Sequence, residues 1–476
     1  MSTILQGKDL VVPDGSGETI LLINPPIYDA QYWSRWSQPA GLLRISTFLK
    51  QLGYKTTLID CMEADAAGRV KKSLRKVGGS WYIQRDDIRR TQWHFGISWD
   101  EFRQRLAGLD AKPTQVWITS IMTYWWESTR DAVAEVKKAF PNATVFVGGI
   151  YPTLAPEHAA AHLGADFVVA GEIPQASEQW TDLDLYETPP SYAILATTRG
   201  CPWDCVYCAA RTLNGGSAKV RGRSTEDVIK EIEDKVARFG TSRFGFYEDN
   251  ALVLRGHLQE ILQVLLDRKL KLDLYAPEGF ETRFLTEELL KVMKKAGFKR
   301  IHLPFETLKM DTNIGWNRRH ASTASFDRAL DAAKAAGFKT HTQDLNAFVL
   351  FGLPDESLDD IMDSVLYVHN TVGSVVPMLF TPVPGTHIYK QHAPYLHEEM
   401  NWDLQNLNGK LLPFLEYNRN QRPELRASDY LELEKLMSVL NDGKFMSQAL
   451  NLCSESRVTS TFRAVMLDKR LHVRAS

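Results

Sequence analysis

The chain is poor in cysteine, with five in 476 residues. That scarcity excludes a disulfide framework, and nothing else in the sequence points to an oxidising compartment. No apolar run reaches the length of a membrane span, so none is expected. The first residues lack a basic segment leading into a long apolar stretch and do not read as a secretory signal. A cytoplasmic protein is the expectation. A basic excess is also missing: 56 Lys and Arg stand against 58 Asp and Glu, a net charge of −2. That balance argues against a nucleic-acid binder. The length allows two or three domains.

What cysteine there is lies together. Arg199-Gly200-Cys201-Pro202-Trp203-Asp204-Cys205-Val206-Tyr207-Cys208 holds three of the five, spaced C-x3-C-x2-C. Thiolates at this density suit soft metals, either zinc or an iron–sulfur cluster. A structural zinc site is usually closed by four ligands. No fourth cysteine is near, and no His lies between Cys208 and His257. Three ligands on a four-iron cluster leave one iron open to a substrate or cofactor.

The spacing, with Tyr207 just before the last cysteine, resembles the radical SAM superfamily. The resemblance implies a [4Fe–4S] cluster on Cys201, Cys205 and Cys208. Its open iron would bind S-adenosylmethionine (SAM), which one electron cleaves to a 5′-deoxyadenosyl radical. An electron donor such as flavodoxin or ferredoxin is then an expected partner.

Before this loop, short apolar runs alternate with helical patterns. Thr19–Asn24, Lys55–Asp60, Gln115–Met122, Thr144–Val147 and Asp166–Ala170 read as strands, and 41–52 and 128–140 as helices. Such alternation predicts a doubly wound, Rossmann-like parallel sheet with ligands at the strand carboxyl ends. Asn24-Pro25-Pro26, Pro39-Ala40-Gly41, Ser120-x-Met122 and Gly148-Gly149 resemble, in order, the B12-binding domain that precedes many radical SAM domains. Glycine there lets backbone approach a bulky ring. The resemblance implies cobalamin contacts from Tyr28, Trp36, Ser120, Met122, Thr123, Tyr124, Gly148, Gly149, Thr153, Gly171 and Glu172. The loop after the first strand has no His, so cobalamin without a protein imidazole is expected. Tyr28, Trp33, Arg35 or Trp36 could cover its lower face, and Tyr124, Trp125 and Trp126 are further candidates. A domain that has lost cobalamin is the alternative. The insertion at about 62–114, rich in Arg and Lys, reads as a solvated helical hairpin.

After a polar linker at 175–190, six strand-like runs separated by amphipathic helices predict a (β/α)6 partial barrel over 191–395. Its site is expected at the strand carboxyl ends. This is also the fold that the radical SAM resemblance implies, and 1–174 is the expected B12-binding domain. By the same resemblance Tyr207, Glu248 and Asp249 lie near the methionyl group of SAM. Glu306 and Thr307 lie near its ribose, Gly352 near its adenine, and Pro382 ends the sixth strand. Arg283, Arg318 or Arg319 is placed to neutralise the SAM carboxylate, with Arg319 favoured. His341, Gln343, Asp344 and Asn346 form a polar run that could face substrate. The tail, 396–476, reads as a helical domain that closes the barrel. Cys61 and Cys453 read as small buried hydrophobes.

The resemblance implies a cobalamin-dependent radical SAM C-methyltransferase using methylcobalamin at an unactivated carbon. The substrate could be a small molecule or a peptide or protein side chain such as glutamine. A non-methylating enzyme of the same architecture, or a cluster or cobalamin sensor, is the alternative. No single catalytic residue stands out.

Overall fold

A computed structural model describes residues 1–15, 17–31, 38–65, 68–441 and 458. Trp33, Arg35, Trp36 and Cys453 lie outside the described residues. The N-terminal half is built on β1 (Thr3–Gln6), β2 (Thr19–Asn24), β3 (Lys55–Asp60), β4 (Gln115–Thr119), β5 (Thr144–Gly148) and β6 (Phe167–Ala170). They form one parallel sheet in the order β1-β6-β5-β4-β2-β3. Ile20, Leu21, Leu22 and Ile23 of β2 are all fully buried, which is why the strand reads as an unbroken apolar run. Helices α1 (Ala40–Gln51), α2 (Trp99–Ala107), α3 (Trp126–Ala139), α4 (Ile150–Leu154) and α5 (Pro156–His162) accompany the sheet.

Two elements differ from the sequence reading. Strand β1 is an edge strand with three of its four residues exposed, so it carries no apolar pattern. The insertion is β-structure with one following helix, α2, rather than a helical hairpin. Lys72–Leu74, Trp93–Phe95 and Ile27–Asp29 make an antiparallel sheet, and Tyr82–Arg85 pairs with Ile88–Thr91 as a hairpin. Tyr82-Ile83 and Ile88 are residue types that suit a pleated, half-buried surface, and Asp86-Asp87 between the two runs suits a turn. Asp86 takes the left-handed φ of 52° that the tight turn requires.

The second half holds β7 (Ala193–Leu195), β8 (Arg243–Phe246), β9 (Asp273–Tyr275), β10 (Ile301–Glu306), β11 (Leu345–Phe351) and β12 (Val375–Leu379). They pair in parallel as two runs of three, joined by a bridge between Leu274 and Phe298. The intervening helices α6 (Thr225–Phe239), α7 (His257–Asp267), α8 (Glu287–Ala296), α9 (Thr323–Ala335) and α10 (Leu358–Thr371) fall where the amphipathic spacing puts them. The result is an open six-stranded α/β barrel.

The connection between the halves is packed, with Leu183 and Tyr186 buried and the Tyr186 hydroxyl donating to Asp60 at 2.9 Å. Helix α11 (Ala427–Asn441) lies against the free edge of the barrel. Asn441 there accepts from Val375 N at 2.7 Å and donates to its carbonyl at 2.6 Å, pairing backbone groups that an edge strand leaves open. One apolar core runs through both halves, joining Val147 and Tyr151 to Leu353, Phe380, Ile388 and Phe414.

Candidate functional site: a three-cysteine loop facing the strand ends of the first sheet

The cysteine loop is fixed at its start by two acids from the end of β8. Glu248 is buried and accepts from Thr197 N at 2.8 Å, from Thr197 Oγ1 at 2.6 Å and from the Thr198 hydroxyl. Asp249 accepts from Gly200 N at 2.8 Å. Gly200 has φ +99°, and a Cβ there would meet Lys219 O at 2.5 Å, so the turn admits only glycine. Further on, Val206 N donates to Trp316 O at 3.1 Å and Val206 O accepts from Ile388 N at 3.0 Å. The loop is therefore held by the ends of the second, fourth and sixth barrel strands. Glu248 and Asp249 shape it rather than reach out from it.

Cys201 is buried, Cys205 half-buried and Cys208 exposed, and all three are free thiols. Burial pushes the Cys201 thiol up to about 11, and the neighbouring Cys208 adds to the rise. Burial likewise pushes Cys205 up to about 12, against the pull of Arg318. The thiols feel one another's charge and a nearby guanidinium, an arrangement that suits sulfur bound to a soft metal once the protons leave. Among the described residues no three His, Cys, Asp or Glu side chains stand close enough to share one ion. Three sulfur donors with a cation beside them fit a cluster with an open corner.

Arg318 is the cation, and the sequence reading favoured its neighbour. Arg318 is buried, pairs with Glu306 at 2.8 Å and donates to the Tyr207 hydroxyl at 2.7 Å. Burial opposes its charge, yet Tyr207, Glu306 and Cys205 outweigh that and raise its pKa. Arg319 is exposed. Glu306 sits at a register break at the end of β10 with φ +66°, a left-handed backbone that side chains other than glycine rarely adopt. Thr307 is buried and accepts from Lys309 N at 3.2 Å. Gly352, with φ +91°, donates to Glu356 at 2.6 Å, and Pro382 is buried in the last strand-end loop.

A second group on this rim escaped the sequence reading as a unit. The Trp203 ring stacks on His320, centroids 4.6 Å apart, and Arg283 covers the Trp203 ring at 4.4 Å. Glu281 holds Arg283 at 3.0 Å. Trp203 stands between the first two cysteines, which is the one signal that pointed to it. Of the polar run, His341 and Gln343 before β11 are exposed, and Asn346, the second residue of β11, is buried.

In the first sheet the strand ends are drawn together. Gly149 has φ +112°, and a Cβ there would lie 2.5 Å from Ser120 O. Ser120 N donates to Gly148 O at 2.9 Å and its hydroxyl shares a 2.8 Å bond with Thr129. Thr153 donates to Gly149 O at 2.7 Å and accepts from Gly171 N at 2.9 Å. Met122, Thr123 and Tyr124 follow β4, with Met122 exposed and Thr123 buried. Tyr28 is not part of this group. Its hydroxyl donates to Asp131 at 2.8 Å and accepts from Trp99 at 3.0 Å, and Arg75 covers its ring at 3.7 Å.

The two sets of strand ends meet. Glu172, after β6, pairs with Arg221 at 2.5 Å and lies 3.8 Å from Arg199 of the cysteine loop. Thr212, just past the loop, donates to Gly385 O at 3.2 Å, and a Cβ on Gly385 would lie 3.7 Å from Leu154 of α4.

Comparison with known proteins finds one family match in each half. Residues 89–180 match the B12 binding domain family, and residues 195–368 match the radical SAM superfamily. The chain is 22% identical over 296 residues to the bacteriochlorophyllide d C-12(1)-methyltransferase of Chlorobaculum tepidum, covering 54% of this chain and 62% of that one. It is 25% identical over 251 residues to the hopanoid C-3 methylase of Methylococcus capsulatus, covering 52% and 44%. The chain thus spans about 60% or less of the length of these relatives. The solved structure of the radical SAM methyltransferase TsrM from Kitasatospora setae, with cobalamin and a [4Fe-4S] cluster bound, superposes with a TM-score of 0.60 at 13% identity. That match covers 80% of this chain and 75% of TsrM and concerns the fold. Among the described residues no helix is long and apolar enough to cross a membrane.

Proposed function

Since this chain joins a B12-binding domain to a radical SAM domain, we propose that it is a cobalamin-dependent C-methyltransferase acting at an unactivated carbon. One observation carries the reading: Glu172, after β6, pairs at 2.5 Å with Arg221, whose ladder partner is Arg199 at the start of the cysteine loop. Methyl transfer needs both cofactors to address one substrate carbon, and a junction that brings the two sets of strand ends together supports that reading. When bound, the cluster with SAM supplies hydrogen abstraction and cobalamin supplies the methyl group.

The chain's own residues hold and orient. Cys201, Cys205 and Cys208 would hold the cluster, with Arg318 offsetting its charge. Glu306, Thr307, Gly352 and Pro382 would border the space for SAM. Ser120, Met122, Thr123, Tyr124, Gly148, Gly149, Thr153 and Gly171 would border the corrin, and Glu172 would fix the junction rather than touch the ring. An electron donor such as flavodoxin or ferredoxin would serve the cluster. The relatives' names span a chlorin and a hopanoid, which favours a small-molecule acceptor over a glutamine side chain.

The test is anaerobic reconstitution with iron, sulfide and hydroxocobalamin. About four irons and one cobalt per chain are expected, followed by equal yields of 5′-deoxyadenosine and S-adenosylhomocysteine with a competent substrate. Iron without cobalt would overturn the methyltransferase reading.

A further inference from the structure

The barrel lumen has a definite chemical character. Side chains alternate along β10: Ile301, Leu303 and Phe305 are buried in the outer core, so His302, Pro304 and Glu306 face the other way. Register extends that inner face across the strands. His302 stands beside Asn346, Pro304 beside Phe348, Phe348 beside Val376, and Leu350 beside Met378. On the other run, Ile194 stands beside Gly245 and Gly245 beside Tyr275. The inner face is thus largely apolar and aromatic. It is also open, because Tyr275 is 36% and Met378 40% exposed although both lie on barrel strands. Large apolar side chains open to water inside a barrel are what a ligand would cover.

Two polar groups break the apolar lining, on adjacent strands and in register. Asn346 is 5% exposed; its carbonyl accepts from the Ser374 hydroxyl at 2.5 Å, while its Nδ2 is buried with no hydrogen-bond partner. His302 Nδ1 is likewise buried without a partner. The His302 ring stacks on Phe348, centroids 5.4 Å apart and planes 8° from parallel. Burial pushes His302 down to about 4, which keeps the imidazole neutral and able to donate or accept. A buried polar atom without a partner is destabilising, so two side by side in a lumen await an occupant.

We propose that this inner face takes a ligand with an apolar, ring-sized body whose inner end carries a carbonyl-type acceptor, received by Asn346 and His302. Calling that ligand the substrate rests on the enzymatic reading above, while the binding itself does not. Asn346 and His302 would then be specificity residues. Pro304, Phe348, Leu350, Val376 and Met378 would provide a surface without directional demands.

The test uses the full chain and two matched probes, 2-acetylnaphthalene and 2-ethylnaphthalene, in equilibrium dialysis. The first should bind about five- to tenfold tighter, the difference one hydrogen bond makes. Asn346→Asp replaces the donor by an acceptor with little change of volume, and His302→Phe keeps the stack on Phe348. Either should bring the two probes within about twofold of each other while circular dichroism stays that of the parent. Equal binding of the probes to the parent protein would overturn the proposal. So would a preference that both variants retain. The assay needs no SAM cleavage, so failure of methyl transfer and failure of this pocket are read separately.

Discussion

Arg318 and Glu306 form a buried ion pair at 2.8 Å on the rim of the cysteine loop. Breaking a buried pair from one side leaves the other charge stranded, at a cost of about 3–5 kcal/mol. Arg318→Met is therefore expected to lower stability by about that much in denaturant titration, and Glu306→Gln by less, since it leaves a hydrogen-bonding amide. Both variants should also lose SAM affinity in calorimetry after cluster reconstitution. If Arg319→Met has the larger effect on SAM binding, the sequence reading was the better one and the geometric assignment falls.

Gly148 and Gly149 are adjacent but differ in kind. A Cβ at Gly149 would strike Ser120 O at 2.5 Å in a backbone with φ +112°, whereas one at Gly148 would only touch Val169 at 3.7 Å. Gly149→Ala should cost about 2 kcal/mol or more in folding free energy. Gly148→Ala should leave stability unchanged and, if the corrin lies over this turn, reduce cobalt retained after gel filtration. Cobalt retention equal to the parent in Gly148→Ala would remove the turn from the cobalamin site.

The Arg318 assignment shows where sequence pattern stops. The barrel was legible because its strands are buried apolar runs and its helices amphipathic; α10 begins and ends where the spacing put it. Which of two consecutive arginines faces inward was not. It is decided by Asn317, whose φ of 58° reverses the chain after the short helix Met310–Gly315. Local propensity sees such a turn as a loop, not as a direction. Edge strand β1, which is exposed, and the hairpin at Tyr82–Thr91, which is rich in Arg, were hidden for a related reason: they are specified by partners far along the chain. The strand-end glycines, by contrast, announced themselves because a positive φ restricts the residue type locally.

Glu356 sets a pH dependence. Burial raises its carboxyl from 4.5 to about 7, while the Gly352 N–H at 2.6 Å works the other way. With the folded value above the unfolded one, the folded state binds the extra proton. The contribution to stability is complete below about 4.5 and is lost as pH rises through about 7. Glu356→Gln removes this titration. Across about pH 5 to 8 the parent should lose up to ~3 kcal/mol relative to the variant in urea unfolding. Asp60, pushed up to about 6 by burial, titrates with the same sign in both proteins and cancels in the difference. A gap that is constant with pH would show that Glu356 is ionised throughout.

Arg85 reaches from the hairpin of the first half into the tail. Its Nε donates to Leu411 O at 2.8 Å and its Nη2 to Leu412 O at 3.2 Å, while Glu416 lies 3.3 Å from Nη1. Asp86 accepts from Ala427 N at 3.0 Å, and Arg90 pairs with Glu434 at 3.2 Å. Leu412 adopts a left-handed φ of 53°, which turns its carbonyl toward the guanidinium's side of the chain. These contacts tie the tail across both halves, so the clasp should govern how firmly the lumen and the junction stay closed. Arg85→Ala leaves the Leu411 carbonyl without its donor, while Leu412 O keeps the bond from Leu415 N, a loss of about 1–3 kcal/mol. It should speed proteolysis and amide exchange in 404–441 while β4 and β5 exchange as in the parent. Arg85→Lys restores the charge but not the forked geometry and should recover only part of the protection. Uniform acceleration over the whole chain in Arg85→Ala would mean that the residue supports the fold at large and that the tail is no separate closure.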